Sequence, residues 1–383
     1  MNLKEVKLSQ ELLVVLYIWG FTFLKPLLQN NLAFSTVILF FYSFFIIILS
    51  IIKIKKIKIK SLKLVFIVFI IFVLDALFRF NEYTLQYFYE FIIYAIIPIY
   101  LISQIKDPKL FLKIFAYISV LAVILFGADP LNDYEIFQDY MPYGFELALP
   151  AFLGVHLGRR FLKIRWMLLF EIITLVLIYL FASRSPILGV ILFLFLTEYF
   201  TQKSGVKSKL KLSLFLVVVI IAVVNFEIII DNSLQYLSQF GIYSTNLERL
   251  SIYLDSQNND KLFSGRIDIW GNAFEMFIKN PFIGAGTGAF QANYGFYSHN
   301  IILDVLLQYG FIGFVLFFTA ITKSFINIIK SQLYIKLLGL LFFSLWFPKL
   351  FFSLYFYKEI GFWLFLAYGL FLTKNLSQIL SPK

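Results

Sequence analysis

The sequence predicts an all-helical protein whose chain crosses a membrane many times. Of its 383 residues, 61% are hydrophobic and only 14% are charged, whereas soluble domains have about 45–50% apolar and about 25% charged residues. The apolar residues form blocks along the whole chain instead of one core, and short basic runs stand between the blocks. Such runs fix the orientation of membrane proteins. This composition excludes a soluble enzyme, a disordered chain and a fibrous protein.

Twelve blocks are long enough to be membrane spans. A hydrocarbon layer about 30 Å thick needs about 20 mostly apolar residues in a helix. The predicted spans are residues 11–28, 32–52, 62–80, 84–104, 109–127, 143–158, 166–182, 186–202, 212–230, 300–322, 337–357 and 360–373. No small-residue cleavage site follows the first span, so we expect it to be retained.

The basic residues predict the orientation of these spans. With the N-terminus in the cytoplasm, the basic clusters at 53–60, 159–165 and 203–211 all fall on the inner side. The positive-inside rule then predicts an even number of spans with both termini cytoplasmic. We therefore expect a multi-pass protein of the cytoplasmic (inner) membrane.

The chain is predicted to have three parts. Residues 1–230 hold spans one to nine, residues 231–299 form a long outer segment, and residues 300–383 hold the last three spans. Leu234, Leu237 and Phe240 recur at helical spacing in the outer segment, and so do apolar residues within 266–279. Two amphipathic helices at the membrane surface are the prediction.

Ionisable residues inside the spans are costly and usually mark a site or an ion pair. Asp75 and Arg79 are four residues apart, so they share a helix face, as a structural pair or as a functional one. Glu90, Glu146 and Glu171 are candidates for pairing with outer arginines.

Cysteine, histidine and net charge limit the possible sites and partners. The chain has no Cys and two His, so no metal site and no cofactor are predicted. His156 is predicted to be an interfacial residue at the inner end of span 6. The net charge is +11, and the basic residues that give rise to it lie beside apolar blocks. This placement favours a lipid bilayer over nucleic acid as the partner.

Two features on the predicted outer side suggest anion chemistry. Arg184 stands between two spans that leave almost no loop, and its planar guanidinium suits phosphate; contact with lipid headgroups is the alternative. The run Gly284-Ala285-Gly286-Thr287-Gly288 lacks the strand and helix of a nucleotide-binding unit. We interpret it as tight turns whose amides can bind an anion.

Several motifs together resemble the outer loop of a known superfamily. They are Ser183-Arg184-Ser185, Ser264-Gly265-Arg266, Trp270, residues 280–288 (NPFIGAGTG), His299-Asn300 and residues 310–313 (GFIG). In this order they resemble the O-antigen ligase and polymerase superfamily, which contains Wzy-type polysaccharide polymerases and lipid A-core ligases. The resemblance covers about residues 183–322.

The resemblance implies a metal-independent glycosyltransferase with a GT-C-like fold. It would use an undecaprenyl-diphosphate-linked oligosaccharide at the outer face of the membrane. Arg184 and Arg266 match the functional arginines of the family, and His299 matches its functional histidine. Arg249 lies in the same loop without a motif, and residues 143–146 lack the Asn-rich pattern of many members.

These roles fit the chemistry of a diphosphate leaving group. Arg184 and Arg266, with Arg249 as a further candidate, would hold the diphosphate, and His299 would accept a proton from the acceptor hydroxyl. Tyr294 and Tyr297 are candidates for a sugar platform, although aromatic residues also gather at membrane interfaces.

Three functions stay open at this stage. A polymerase, our preference, would extend another lipid-linked repeat unit, with a chain-length regulator (a polysaccharide co-polymerase) and a flippase as candidate partners. A ligase would transfer glycan to lipid A-core. A flippase is less favoured, because transporters have paired repeats, whereas the candidate residues here concentrate in one outer loop.

Overall fold

The computed structural model describes a helical chain. It covers residues 9–24, 32–53, 62–132, 134–201, 210, 213–214, 217, 221, 224–241, 244–255, 266–373 and 376, and these contain no strand. The main helices are α1 (Gln10–Phe23), α2 (Leu32–Lys53), α3 (Leu62–Arg79), α4 (Thr84–Ile102, with a π turn at Ile92–Ile96), α5 (Pro108–Phe126), α6 (Leu149–Arg160, after a π turn at Tyr143–Ala148), α7 (Met167–Phe181), α8 (Arg184–Thr201), α9 (Phe226–Gln239), α10 (Thr245–Asp255), α11 (Arg266–Lys279), α12 (Ala289–Tyr294), α13 (Ile301–Ile329), α14 (Leu333–Phe352) and α15 (Ile360–Ala367, continued by a π turn at Tyr368–Leu372).

Many of these helices are apolar enough for a bilayer. Within the described residues, five are long and apolar enough to cross a membrane, and several shorter apolar helices accompany them. The five are Thr84–Ile102, the helix within Pro108–Asn132, Arg184–Thr201, Ile301–Ile329 and Leu333–Phe352. The predicted class, a helical membrane bundle, fits this structure, and the count of twelve spans stays a prediction.

The chain divides into two compact units. Unit 1 consists of Met1–Ile118 and Ile269–Lys383, and unit 2 consists of Ser119–Asp268. The core of unit 1 is aromatic, with Trp346 packed against Phe362 and Phe365 at ring separations of 5.3 and 5.6 Å. In α2 and α3, by contrast, large apolar side chains point outward, and Phe41 and Phe78 are 63% and 82% exposed. Such side chains are stable where acyl chains cover them.

The predicted partners of two buried glutamates are wrong. Glu171 does not pair with an outer arginine: its carboxylate binds Arg159 and lies 2.8 Å from Nδ1 of His156. The short turn between α6 and α7 brings these residues together. His156 lies near the C-terminal end of α6, as predicted, and its side chain is buried, with 2% exposure. Glu90, in unit 1, accepts hydrogen bonds from Tyr355 and Gln86.

The segment after α8 contains more helix than predicted. Between residues 226 and 294 the described residues form four helices, α9 to α12. The helix at Arg266–Lys279 has the predicted bounds. Helix α10 was missed because its sequence is polar, although Leu247 and Leu250 are spaced to pack on Ile230 of α9. Eight of the nineteen residues in the predicted ninth span, 212–230, lie outside the described residues.

The predicted eleventh span is displaced toward the C-terminus. Helix α14 ends at Phe352 instead of residue 357. Residues 353–359 form a buried turn that leads into α15, with a short 3-10 helix at Phe356–Lys358. Its three aromatic residues, Tyr355, Phe356 and Tyr357, led to the prediction that the span continues through it.

Candidate functional site

In unit 2, Arg184 lies at a tightly held turn. It is the first residue of α8 and is half-buried. The hydroxyl of Tyr134 donates a hydrogen bond of 2.8 Å to the carbonyl of Phe181, and Ser244 donates to the carbonyl of Leu180. These bonds fix the end of α7 and therefore the direction in which α8 begins.

Close packing reinforces this turn. A Cβ at Gly144 would lie 2.8 Å from Cγ of Pro186 and 2.9 Å from Cβ of Ala182. Only a glycine allows the π turn at Tyr143–Ala148 to approach the turn this closely. Gly144 thus contributes to the position of Arg184.

Arg184 and Arg266 share a structural setting. Arg266 is the first residue of α11, as Arg184 is of α8. The N-terminus of a helix carries a partial positive charge and favours anions. A guanidinium placed there is stabilised when an anion binds both the side chain and the helix end. This placement suits the predicted contact with a phosphate group.

Arg249 has a different setting. It is exposed on α10, where its Nη1 donates a hydrogen bond of 3.0 Å to the hydroxyl of Tyr140. Its guanidinium carbon also lies 5.0 Å from the centre of the Tyr140 ring. Arg249 is therefore held by an aromatic partner in unit 2.

In unit 1, the segment that carries His299 is fixed on both sides. Trp270 donates a hydrogen bond of 3.2 Å from its indole to the carbonyl of Ser298. Asn300 caps α13 by accepting from the amides of Ile302 and Leu303 at 2.9 and 3.3 Å. Between them, His299 has a φ of +53°, a left-handed conformation that is uncommon for residues other than glycine. Such conformations persist where surrounding contacts enforce them, often at functional sites.

Tyr297 supports the histidine. Its ring centre lies 4.2 Å from that of His299, and its hydroxyl donates a hydrogen bond of 3.0 Å to the carbonyl of Ser353. On another side it contacts Tyr355, whose hydroxyl donates to both oxygens of Glu90 at 2.7 and 2.6 Å. Glu90 and Tyr355 thus anchor the aromatic group beside His299.

Tyr294 belongs to a neighbouring apolar cluster. Its ring centre lies 4.7 Å from that of Phe290, and both pack with Ala273 of α11 and Leu307 of α13. This cluster attaches α12 to the helices on either side of it in sequence.

The glycine-rich run pairs with a break in α13. Gly310 has φ +63° and ψ −164°, so the helix is interrupted there. The freed amides of Phe311 and Ile312 donate to the carbonyls of Pro281 and Phe282 at 2.8 and 3.1 Å. In return, the carbonyls of Leu307 and Gln308 accept from the amides of Ala285 and Gly286 at 2.7 and 3.1 Å. The break therefore leaves these backbone groups bonded, as burial requires.

Two glycines make this backbone pairing possible. A Cβ at Gly284 would lie 2.4 Å from the carbonyl carbon of Gln308, and one at Gly310 would lie 2.3 Å from that of Phe282. The motifs at 280–288 and 310–313 are thus two sides of one structure. Their spacing in sequence gave no indication of this contact.

We expect Gly284→Ala and Gly310→Ala to destabilise the protein by more than about 1 kcal/mol, because each adds a backbone clash to a φ that alanine disfavours. The measurement is the temperature at which the detergent-solubilised protein loses its monodisperse size-exclusion peak. Gly271→Ala is the control, since Gly271 has open space around its Cα and lies in a helix. Equal stability of all three variants would contradict the proposed pairing.

The sequence predicts that backbone amides of this run bind an anion. That prediction is wrong for the amides that the structure shows in hydrogen bonds within the protein. The amide of Thr287 donates a bond of 2.5 Å to Asp75, and those of Gly284, Ala285 and Gly286 bind backbone carbonyls. These donors are used within the protein. The anion that the run binds is the side chain of Asp75.

The predicted site residues fall in both units. Arg184, Arg249 and Arg266 belong to unit 2, and Tyr294, Tyr297 and His299 belong to unit 1. Sequence reasoning missed the contacts by which several residues fix these segments: it treated Asp75 and Arg79 as a pair, gave Glu90 to the outer arginines, and assigned no role to Asn81 and Tyr355. An ionisable pair within a predicted span was the available signal for the first two.

A family comparison accounts for the order of these motifs. Residues 169–318 match the model of a family described as O-antigen ligase. Residues 169–318 are therefore similar to the O-antigen ligase superfamily. The match confirms the resemblance and spans every predicted site residue. Comparison with curated proteins and with solved structures found no match.

The O-antigen ligase superfamily is glycosyltransferase-like and contains ligases and polymerases. Together with the apolar helices, it indicates a multi-pass membrane protein.

Proposed function

We propose that this protein is a polysaccharide polymerase of the cytoplasmic membrane. It would transfer glycan from undecaprenyl diphosphate to a lipid-linked repeat unit at the outer face. The observation that carries the proposal is the O-antigen ligase match over residues 169–318, which includes Arg184, Arg266 and His299. The setting of each of these residues suits one part of the reaction.

The arginines act on the leaving group. In the proposed reaction the acceptor hydroxyl attacks the anomeric carbon of the donor sugar, and the bond from that carbon to the diphosphate oxygen breaks. The leaving diphosphate gains negative charge as it departs. Arg184 and Arg266, each at a helix N-terminus, would stabilise this charge more in the transition state than in the ground state.

His299 acts on the acceptor. As the new glycosidic bond forms, the acceptor hydroxyl loses its proton, and the imidazole of His299 takes it. The capping residue Asn300 and the bond from Trp270 to Ser298 hold the backbone on both sides, so the ring needs little reorganisation before reaction. No metal is required for these steps, and the protein would need no cofactor.

A ligase is the second candidate, and the description of the matched family favours it. It would use the same residues and the same donor, with lipid A-core as the acceptor. A flippase is the third, since transporters also have interrupted helices. Against it, the backbone groups freed at Gly310 bind the glycine-rich run of the same unit.

The test uses purified protein and repeat units on undecaprenyl diphosphate, with or without lipid A-core. We expect a ladder of longer glycans that remain on the diphosphate lipid in the absence of lipid A-core. Transfer that occurs only when lipid A-core is added would identify a ligase. Consumption of neither donor nor acceptor would contradict the enzyme proposal.

A further inference from the structure

Two charged residues at the end of α3 hold the glycine-rich run from the side opposite the helix break. Oδ2 of Asp75 accepts a 2.5 Å hydrogen bond from the amide of Thr287. Nη1 of Arg79 donates to the carbonyls of Ile283 and Gly284 at 3.0 and 2.8 Å. Both charges are therefore used on the backbone of the run.

The mutual ion pair is the weaker part of this arrangement. Oδ1 of Asp75 and Nη1 of Arg79 are 3.8 Å apart, a separation at which a partly exposed pair adds little. Hydrogen bonds between a charged side chain and the backbone are stronger than neutral ones. The side chain of Asp75 is 8% exposed, so the hydrogen bond from the Thr287 amide is made largely out of contact with water.

The remaining glycines of the motif allow this approach. A Cβ at Gly286 would lie 2.9 Å from Cδ of Arg79 and 3.3 Å from Oδ1 of Asp75. A Cβ at Gly288 would lie 3.0 Å from Oδ1 of Asn81, whose Nδ2 donates a 2.7 Å bond to the carbonyl of Thr287. Gly286 and Gly288 thus face the end of α3, whereas Gly284 faces the break in α13.

From this run the chain leads directly to the histidine. Helix α12 begins at Ala289, and the segment after it ends at His299. The side-chain hydroxyl of Thr287 also lies 3.0 Å from the hydroxyl of Tyr309 in α13. The run is therefore held by α3 on one side and by α13 on the other. The start of the His299 segment is therefore set by both helices.

We propose that Asp75 and Arg79 are positioning residues for glycan transfer. They fix residues 283–287 and, through α12, the segment that presents His299. This inference rests on the proposed role of His299. A shift of about 1 Å at a reacting group can lower a rate by about 10²-fold, so the loss should affect kcat more than donor binding.

The experiment compares two pairs of variants in the polymerisation assay. Asp75→Ala and Arg79→Ala should lower kcat by about 10-fold or more, with the KM for the lipid-linked donor within about twofold of wild type. Asp75→Asn and Arg79→Lys should restore part of the activity, because the asparagine oxygen can still accept from Thr287 and lysine can still donate to one carbonyl. Hydrogen exchange at the Thr287 amide should be faster in Asp75→Ala.

Glu198→Gln is the matched control. Glu198 is another carboxylate of a membrane helix, and it binds Arg160 in unit 2. Its variant should keep the kcat of the wild type per monodisperse molecule. An equal loss in Glu198→Gln would overturn the inference, because the effect would then be general destabilisation.

Two further outcomes separate this inference from the proposed function. The first is an Asp75→Ala variant with the kcat of wild type, whether or not its KM for the donor is raised. If His299→Ala is inactive in the same assay, this result would overturn the positioning role and leave the proposed function intact. Full activity of His299→Ala would instead remove the proposed role of His299, on which the inference rests.

Discussion

His299→Ala is expected to retain binding of the lipid-linked donor and to lower turnover by about 10²-fold or more. The loss corresponds to a general base, whose contribution is about 10²–10⁴-fold. The assay measures donor binding to the purified protein and polymer formation separately. A loss of donor binding equal to the loss of turnover would instead place His299 among the binding residues.

The second histidine of the chain provides the control. His156 is buried against Glu171 in α7, and Glu171 keeps Arg159 as a partner when the imidazole is removed. His156→Ala should therefore keep normal turnover per folded molecule. Normal polymer from His299→Ala and none from folded His156→Ala would reverse our assignment.

Arg184→Ala and Arg266→Ala should each abolish polymer formation or lower it by about 10²-fold or more, while insertion into the membrane stays normal. Lysine at either position should restore activity only in part, since a point charge cannot bind a diphosphate in the bidentate manner of a guanidinium. The measurements are polymer length in cells and donor binding by the purified variants.

An exposed arginine serves as the matched control for this pair. Arg165 lies in the turn between α6 and α7, on the predicted inner side, so Arg165→Ala should form normal polymer. Full activity of Arg184→Ala would favour the alternative in which Arg184 contacts lipid headgroups. A loss in Arg165→Ala equal to that of Arg184→Ala would indicate a general effect of basic residues on insertion.

The sequence predicted helices well where apolar blocks end at polar residues. Residues 109–127 and 166–182 were predicted as spans, and the helices are Pro108–Phe126 and Met167–Phe181. The predicted helices were wrong where the composition of a segment does not match its conformation. Residues 353–359 contain three aromatic residues yet form a turn, and α10 is polar yet packs through Leu247 and Leu250.

For the candidate site, the order of the motifs identified single residues but not the residues that contact them and fix their positions. His299, Arg184 and Arg266 lie in recognisable runs, and the family match covers them. The contact of Asp75 with Thr287 joins residues 212 positions apart, and no local spacing rule predicts a partner at that separation. The partner of Glu171 was mispredicted because Glu171 was assigned to the outer arginines, whereas the short turn between α6 and α7 brings it to Arg159, in the cluster predicted to be inner.

The separation between Asp75 and Thr287 also has a consequence for biosynthesis. At about 5–20 residues per second, a ribosome reaches Thr287 about 10–40 s after it has made Asp75. During that interval the nascent helix carries a carboxylate and a guanidinium whose final backbone partners do not yet exist. Because Asp75 and Arg79 are one helical turn apart, they can neutralise each other while the helix enters the bilayer, where an isolated charge is costly. Removing one of the two therefore exposes the other to the translocon unpaired, so we expect a lower yield of inserted protein from such a variant.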